Sequence, residues 1–515
     1  MTNATNSGDA PAGAPASRGW MLAGWATLAL GLVLRLMAFS PWPIHHPDEF
    51  LQYVEQGHRL ATGHGIVPWE YRDGIRNLLV PLLLAAPMKL ALALGFGGIA
   101  PVILARLLYA LACSAIVPAA WLLGAARSPR HALVAAFVAA TFYLAVFFSL
   151  TVLSESLATA LIALAMGLVV GDSPGRARWL AAGALLALAM LVRMQYAIFV
   201  APYVLLRLRG DVRGWRWTIA GGLAALALEA AIDLAAGQRP FGWVLANFAT
   251  NLGHDRAATF GVTPAWFFAA RILVMLGPLS VVIVPLALSA RGRYLPITVA
   301  SAVTIAAHLM IAHKELRFVW VSLFCLLVLA AIRSVDLFEA REPAMPAPTR
   351  TGLLAAAWAL ASAGGFWLSR GMLGFWVGAP AAQIAHEAAM RPEVCGLALT
   401  DEYHNHVIPA NLGRDVPLYL DDMDAGLGRR PVLPGVRAAA NALLLPPAAI
   451  APPPPWTRTA CRSNGETVLC LWQRPDGCEP AAGRDRTFQA ILERDEAEQA
   501  RLGKAAASTA PESGR

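Results

Sequence analysis

The stretch Ile44-His-His-Pro-Asp-Glu-Phe-Leu-Gln-Tyr-Val-Glu55 sets two acids directly behind a proline at a helix start. Read as an α-helix it is amphipathic. Asp48, Gln52 and Glu55 share one face by the i, i+4, i+7 rule, and Phe50, Leu51 and Val54 share the other. Such a helix lies in a membrane interface with its acids turned toward water or toward a site. The same acids would also complement a helix dipole, for a few tenths of a kcal/mol, roughly. Val67-Pro-Trp-Glu-Tyr-Arg-Asp-Gly-Ile-Arg76 closes the same polar stretch, and its Trp69, Glu70 and Arg76 suit an interfacial anchor as well as a binding site.

A second cluster, His313-Lys-Glu-Leu-Arg-Phe318, places His313, Lys314, Glu315 and Arg317 between two apolar runs. Ionisable groups so near hydrocarbon are expensive, so they either serve a site or snorkel and cap helix ends. Arg193, between two short apolar halves, is either a snorkelling residue or a phosphate ligand. Glu155, in Thr151-Val-Leu-Ser-Glu-Ser156, adds one more carboxylate at a span end.

The elements that must position these groups are membrane helices. Of 515 residues, 57% are hydrophobic and 14% charged, and mean hydropathy is +0.53. Apolar runs of about 17 to 25 residues, long enough for a hydrocarbon core of roughly 30 Å, recur from Trp20 to Leu368. Trp20–Phe39 lacks a small-residue cleavage site and is followed by more spans, so it reads as a retained helix. The net charge of +8 is dispersed over short loops rather than gathered beside aromatic residues, which points to topology and not to nucleic acid.

Arginine-bearing connections set the orientation. Arg127–Arg130, Arg176–Arg178, Arg207–Arg216, Arg291–Arg293 and Arg333–Arg350 fit the cytoplasm. Segments 40–76 and 238–269, the turn 313–317 and everything after Arg370 then lie outside. The pattern requires that 78–123 cross once or three times, with a re-entrant or split helix, for about 11 to 13 crossings in all. Residues 1–19 are expected as a disordered cytoplasmic tail, 20–370 as the transmembrane domain, 371–490 as a small α+β extracytoplasmic domain, and 491–515 as a charged tail. The last should be a solvated helix, then disorder. In the C-terminal region Cys395, Cys461, Cys470 and Cys478 permit three pairings, among which Cys461 with Cys470 would close a hairpin around Gly465.

His46-Pro-Asp-Glu49 with Gln52 and Glu55, Trp69-Glu-Tyr71, Gly74-Ile-Arg76 and His313-Lys-Glu-x-Arg-Phe318 together resemble glycosyltransferase family 22. The resemblance runs from about Trp20 to Ile332. It implies an all-α polytopic GT-C fold and an inverting transferase that moves mannose from a polyprenyl-phosphate donor to a glycan or glycolipid acceptor outside the cytoplasm. It further implies Asp48 as the base, with Glu49 its possible substitute, and Arg76, Arg193, His313, Lys314 and Arg317 on the donor phosphate. His46, Gln52, Glu55, Trp69, Glu70, Glu155 and Glu315 would line the substrate. No cofactor and no metal are implied, and no tight His/Cys ligand cluster stands in the sequence. Two departures, Thr151–Ser156 for an Arg-Thr/Ser-Asn-type motif and Arg76-Asn77 for an Arg-Ser pair, bear on acceptor choice. The compact, Ala/Arg-rich chain suggests a bacterial inner-membrane member acting on its external face.

Two other classes compete. A secondary transporter would show paired repeats and Gly/Pro-broken helices at matching positions, which are not visible. A GT-C transferase for another lipid-linked sugar would keep Asp48 and differ in the sugar pocket.

Overall fold

The computed structural model of the chain describes residues 18–250, 261–375, 377–400, 406–465 and 467–509, with side chains to 498. Among these, six helices are long and apolar enough to cross a membrane: Arg18–Ala38, Ala100–Ala125, Val212–Ala235, Phe267–Leu288, Leu316–Arg341 and Ala347–Leu373. Pro129–Thr141 and Tyr143–Leu150 form a further, bent pair. Shorter helices, including Ser154–Val169, Arg176–Val192 and Leu295–Leu309, complete the bundle. Of the expected tail 1–19, Arg18 and Gly19 already belong to the first helix and the remainder lies outside the described residues.

Contacts sort the connections into two polar ends. At one end Arg127 and His131 meet Asp336 at 3.2 and 3.1 Å. Beside them Arg293 reaches the Ala126 carbonyl at 2.9 Å and Asp172 at 3.1 Å, and Arg207 caps the Val169 carbonyl at 2.8 Å. At the other end sit 44–77, 152–155, 191–193, 247 and 315–317. This division matches the arginine-bearing connections read from the sequence.

The segment 78–123 resolves into two helices. Leu79–Ala93 packs along Glu55–Thr62, and the loop after it brings Gly98 against Gly413 and His386 of the C-terminal domain. Both of its ends therefore stand on the face that carries the C-terminal domain, and Ala100–Ala125 alone leads to the other.

The break at Phe142 (φ −67°, ψ 127°) bends the Pro129–Leu150 pair by 57° and strips carbonyls of their helical partners. Arg35, fully buried in the first helix, supplies the missing donors. Its Nη1 donates to Gly31 and Ala140 O, both at 3.0 Å, and its Nη2 to Ala139 and Ala145 O, both at 3.2 Å. In hydrocarbon no water can replace these bonds. Arg35→Leu is therefore expected to cost on the order of 3 kcal/mol and to lower the thermal midpoint in detergent. A midpoint unchanged within a degree would show that the carbonyls find other donors.

The C-terminal domain is a five-stranded sheet, β1 (Leu397–Thr400), β2 (Leu418–Asp421), β3 (Ala442–Leu445), β4 (Thr457–Ser463) and β5 (Val468–Gln473), in the order β2-β1-β3-β5-β4. β2, β1 and β3 run parallel, and β5 joins β3 and β4 antiparallel. The strands β1 to β3 are buried on both faces, as sheets covered by helices require. Helix Ala379–Ala389 packs on one face and Pro434–Ala439 on the other. Cys461 and Cys470 pair across the β4–β5 hairpin, whose turn holds Gly465 at φ 89°, and Cys395 pairs with Cys478. Of the three possible pairings, this is the one that closes the expected hairpin.

The expected boundary at 490 falls inside the helix Phe488–Thr509. Its Phe488 and Ile491 are buried in the sheet's core, Gln489 bonds the backbone of Val67, and Arg72 pairs with Glu493 and Glu496. The start of the charged tail is thus docked on the acidic segment rather than solvated.

Candidate active site

Pro47 opens the helix that carries the acids, and its turn Glu49–Val54 is π-helical. A π turn advances the chain with i→i+5 bonds, so side chains do not follow the 3.6-residue period, and such turns are frequent at functional sites. The consequence is a correction: Asp48, Gln52 and Glu55 do not form one group. Asp48 faces Arg317, Gln52 donates to Glu70 Oε1 at 2.7 Å, and Glu55 turns away to the C-terminal domain.

Asp48 Oδ2 accepts from Arg317 Nη2 at 2.8 Å, and its side chain is 24% exposed. Burial pushes its carboxyl up, but Arg317, His46 and Arg76 outweigh this and hold it down at about 2. It is therefore ionised at neutral pH.

Arg317 stands at the centre of three carboxylates. Besides Asp48, it meets Glu315 through Nε at 2.7 Å and Nη2 at 3.1 Å, and its Nη1 lies 3.5 Å from Glu155 Oε1. Glu155 also pairs with Arg193 Nη2 at 3.1 Å. Glu315 accepts further contacts from His46 Nε2 at 3.2 Å and His313 Nε2 at 2.9 Å; burial raises its carboxyl, but the His46 hydrogen bond and Arg317 hold it well below the usual range. The guanidinium fork is the reason one residue can serve three acids: its five donors diverge in a plane.

Arg76 lies beside this group, close enough to lower Asp48 electrostatically, and its Nε has no hydrogen bond among the described residues. Glu70, next to Asp48, is pushed up to about 7 by burial and by the Asp48 charge.

Several expected site residues lie elsewhere. Glu49 is 0% exposed and points into the protein, where Arg106 Nη2 at 3.5 Å, His45 Nδ1 at 3.2 Å and the Val152 N–H at 2.9 Å hold it. Lys314 is buried and donates to the Thr263 and Ile311 carbonyls at 2.9 and 2.6 Å, so its charge caps backbone rather than joining the cluster. Trp69 is half-buried at the head of the short helix Trp69–Arg72. Arg106 escaped the sequence reading, although an arginine inside the apolar run Ala100–Cys113 is itself a signal of a buried role.

Glu55 is a lock. Its Oε1 accepts from Ile66 N at 2.8 Å and its Oε2 from Ala410 N at 3.0 Å, which ties the acidic helix to the C-terminal domain. Burial raises its carboxyl from 4.5 to about 7 despite these two donors and Arg59. Between those values the folded protein keeps a proton that the unfolded chain releases, so this contribution to stability falls as pH rises through the window. The thermal midpoint should decline from pH 5 to pH 7.5, by an amount worth up to about 3 kcal/mol. Glu55→Gln should flatten that slope, and an identical slope in the variant would assign it to another group.

The sequence matches the Alg9-like mannosyltransferase family over residues 26–369. The chain belongs to that family. This Alg9-like chain is 28% identical over 292 residues to the GPI alpha-1,2-mannosyltransferase 3 of Danio rerio, covering 55% of the chain and 54% of the relative. With the GPI mannosyltransferase 3 of Trypanosoma brucei brucei it shares 26% over 362 residues, 60% of the chain and 64% of the relative. It thus spans between half and two-thirds of the length of these curated relatives. In structure it is similar to ArnT from Cupriavidus metallidurans, solved bound to undecaprenyl phosphate and in the apo state. TM-scores are 0.53 and 0.55 at 12% identity, over 90% of this chain and 100% of that one. The GT-C fold expected from the sequence is the fold observed.

Proposed function

We propose that this chain transfers a mannosyl residue from a polyprenyl-phosphate carrier to a glycan or glycolipid acceptor, with inversion, at the face that bears its C-terminal domain. The observation that supports this most is the Asp48–Arg317 pair at 2.8 Å, one ionised carboxylate against one cation on the same polar end of a membrane bundle. The short arginine-bearing connections at the opposite end, and two disulfides in the domain beside the site, favour an extracytoplasmic face, that of a bacterial inner membrane.

In this reading the donor phosphate takes part of the guanidinium surface of Arg317, aided by Arg193 and Arg76. As the bond from the sugar carbon to the phosphate oxygen breaks, charge builds on the phosphate, and preorganised cations there are worth several kcal/mol, roughly. Asp48, partly released from Arg317, then regains basicity. It accepts the proton of the acceptor hydroxyl as that oxygen bonds to the sugar carbon from the opposite side. Glu315, held by His46 and His313, keeps Arg317 oriented throughout.

The test is transfer from radiolabelled polyprenyl-phosphate-mannose to a host glycolipid extract by purified protein in lipid. Mannosyl product supports the donor assignment. Transfer from another lipid-linked sugar, but not from this one, would overturn mannose while leaving the fold-level assignment in place.

A further inference from the structure

Most of the charge at the polar end remote from Asp48 is already matched. Arg127, His131 and Arg333 share Asp336, Arg130 meets Glu339, and Arg293 meets Asp172. Arg207 serves the Val169 and Gly171 carbonyls and lies 4.9 Å from the Trp179 ring. One corner departs from this pattern. Where the helices Arg176–Val192 and Val212–Ala235 begin, Arg176, Arg178, Arg209, Arg213 and Arg216 are all exposed, and none has a carboxylate partner among the described residues. The carboxylate that stands among them in sequence, Asp211, is occupied as a helix cap, its Oδ1 accepting from the Gly214 N–H at 2.7 Å.

Close packing brings these arginines together. The two helices run side by side in the same direction, with Gly183 against the Thr218 backbone and Gly222 against Ala187. Glycine permits this approach, since a Cβ on Gly183 or Gly221 would stand 2.0 or 1.9 Å from a carbonyl oxygen of the neighbouring helix. Carried back by one to two turns, the same pairing sets Arg176 and Arg178 level with Asp211 and Arg213. Like charges gathered in this way repel one another and attract an anion.

The surface that continues from the arginines toward the membrane interior is apolar and faces outward. Val212, Arg216, Ile219 and Leu223 follow one another at the spacing of a single helix face, and all four are exposed. Arg176 stands in the same relation to exposed Leu180, one turn further on. The corner therefore offers guanidinium groups at headgroup depth and hydrocarbon contact beside them. A soluble anion uses only the first, whereas an acidic phospholipid uses both. Basic pockets between membrane helices are where such headgroups dock. Arginines that served orientation alone would not need this corner to stay without carboxylates while its neighbours are paired.

We infer that the adjacent starts of these two helices form a binding site for an acidic phospholipid, with its phosphate among Arg176, Arg178, Arg213 and Arg216 and an acyl chain along Ile219 and Leu223. The inference goes beyond the transfer reaction and does not depend on which sugar is moved, because the site lies at the polar end opposite Asp48 and Arg317.

The full chain, purified in a neutral detergent, is offered equal amounts of phosphatidylglycerol and phosphatidylcholine with identical acyl chains, and retained lipid is counted by native mass spectrometry. Phosphatidylglycerol should be retained about tenfold over phosphatidylcholine, the scale set by one or two arginines acting on an acidic headgroup. Arg213→Gln combined with Arg216→Gln alters only exposed side chains and should bring that ratio to within about twofold. Arg341→Gln combined with Arg350→Gln removes the same charge from the same polar end and should leave the ratio near that of wild type. Equal loss in both double variants would show a diffuse surface field, and an unchanged ratio in the first would send the lipid to the cations around Arg317; either overturns the site. Glycerol phosphate in large excess should not displace the lipid. Displacement would make the corner a site for a soluble phosphate and overturn the phospholipid.

Discussion

Asp48→Asn is expected to lower glycosyl transfer by roughly 10²- to 10⁴-fold, the range a positioned general base supplies. The change is nearly isosteric. It removes the charge at Oδ2 but leaves Arg317 with Glu315 and Glu155, so the fold has no reason to fail. Thermal midpoints of variant and wild type should therefore agree within a few degrees while rates separate. Initial rates at saturating donor and acceptor decide the matter, because KM for the donor should hardly move if Asp48 acts on the acceptor proton. Full activity in Asp48→Asn would remove the base assignment. Glu49 offers no substitute, since its carboxylate is enclosed by Arg106, His45 and the Val152 N–H.

Arg317→Ala should have the second large effect, and on two quantities at once. Removal leaves Asp48, Glu315 and Glu155 facing one another with Arg193 as the nearby compensation. Uncompensated buried charges cost roughly 3–5 kcal/mol, so the midpoint falls with the rate. Arg317→Lys separates the two. It restores a positive charge and much of the stability, but a point charge cannot hold Asp48, Glu315 and Glu155 together as the planar fork does. Stability largely recovered with transfer still down about 10²-fold is the expected pattern. A lysine variant that works like wild type would show that charge alone matters.

Much of this arrangement was legible in the sequence because membrane proteins obey few and strict rules. Runs from Trp20 to Leu368 had to be helices, and the arginine-bearing connections had to share an end, since in hydrocarbon every backbone group must be satisfied within the segment. His46, Asp48, Glu155, Arg193, His313, Glu315 and Arg317, spread over 272 positions, were all singled out, and the structure brings them within contact of one another. Position on the helix was not legible. An α-helical period put Glu55 beside Asp48, and the π turn at Glu49–Val54, which leaves no mark in residue types, moved it to the Ala410 N–H. Lys314 does not join the cluster for a different reason: the carbonyls of Ile311, just past Leu295–Leu309, and of Thr263, on a separate loop, claim it, and which backbone a lysine caps is decided by tertiary packing.

The stereochemistry of transfer tests the central claim most directly. A single base opposite a departing phosphate allows only direct displacement, so the new glycosidic bond must carry the anomeric configuration opposite to that of the donor. The one-bond C1–H1 coupling in the NMR spectrum of the product, formed from a donor of defined configuration and a soluble glycoside acceptor, reads the anomeric configuration within one experiment. Inversion is the result expected from Asp48 and Arg317 as placed here. Retention would require a second nucleophile on the sugar and would contradict the account.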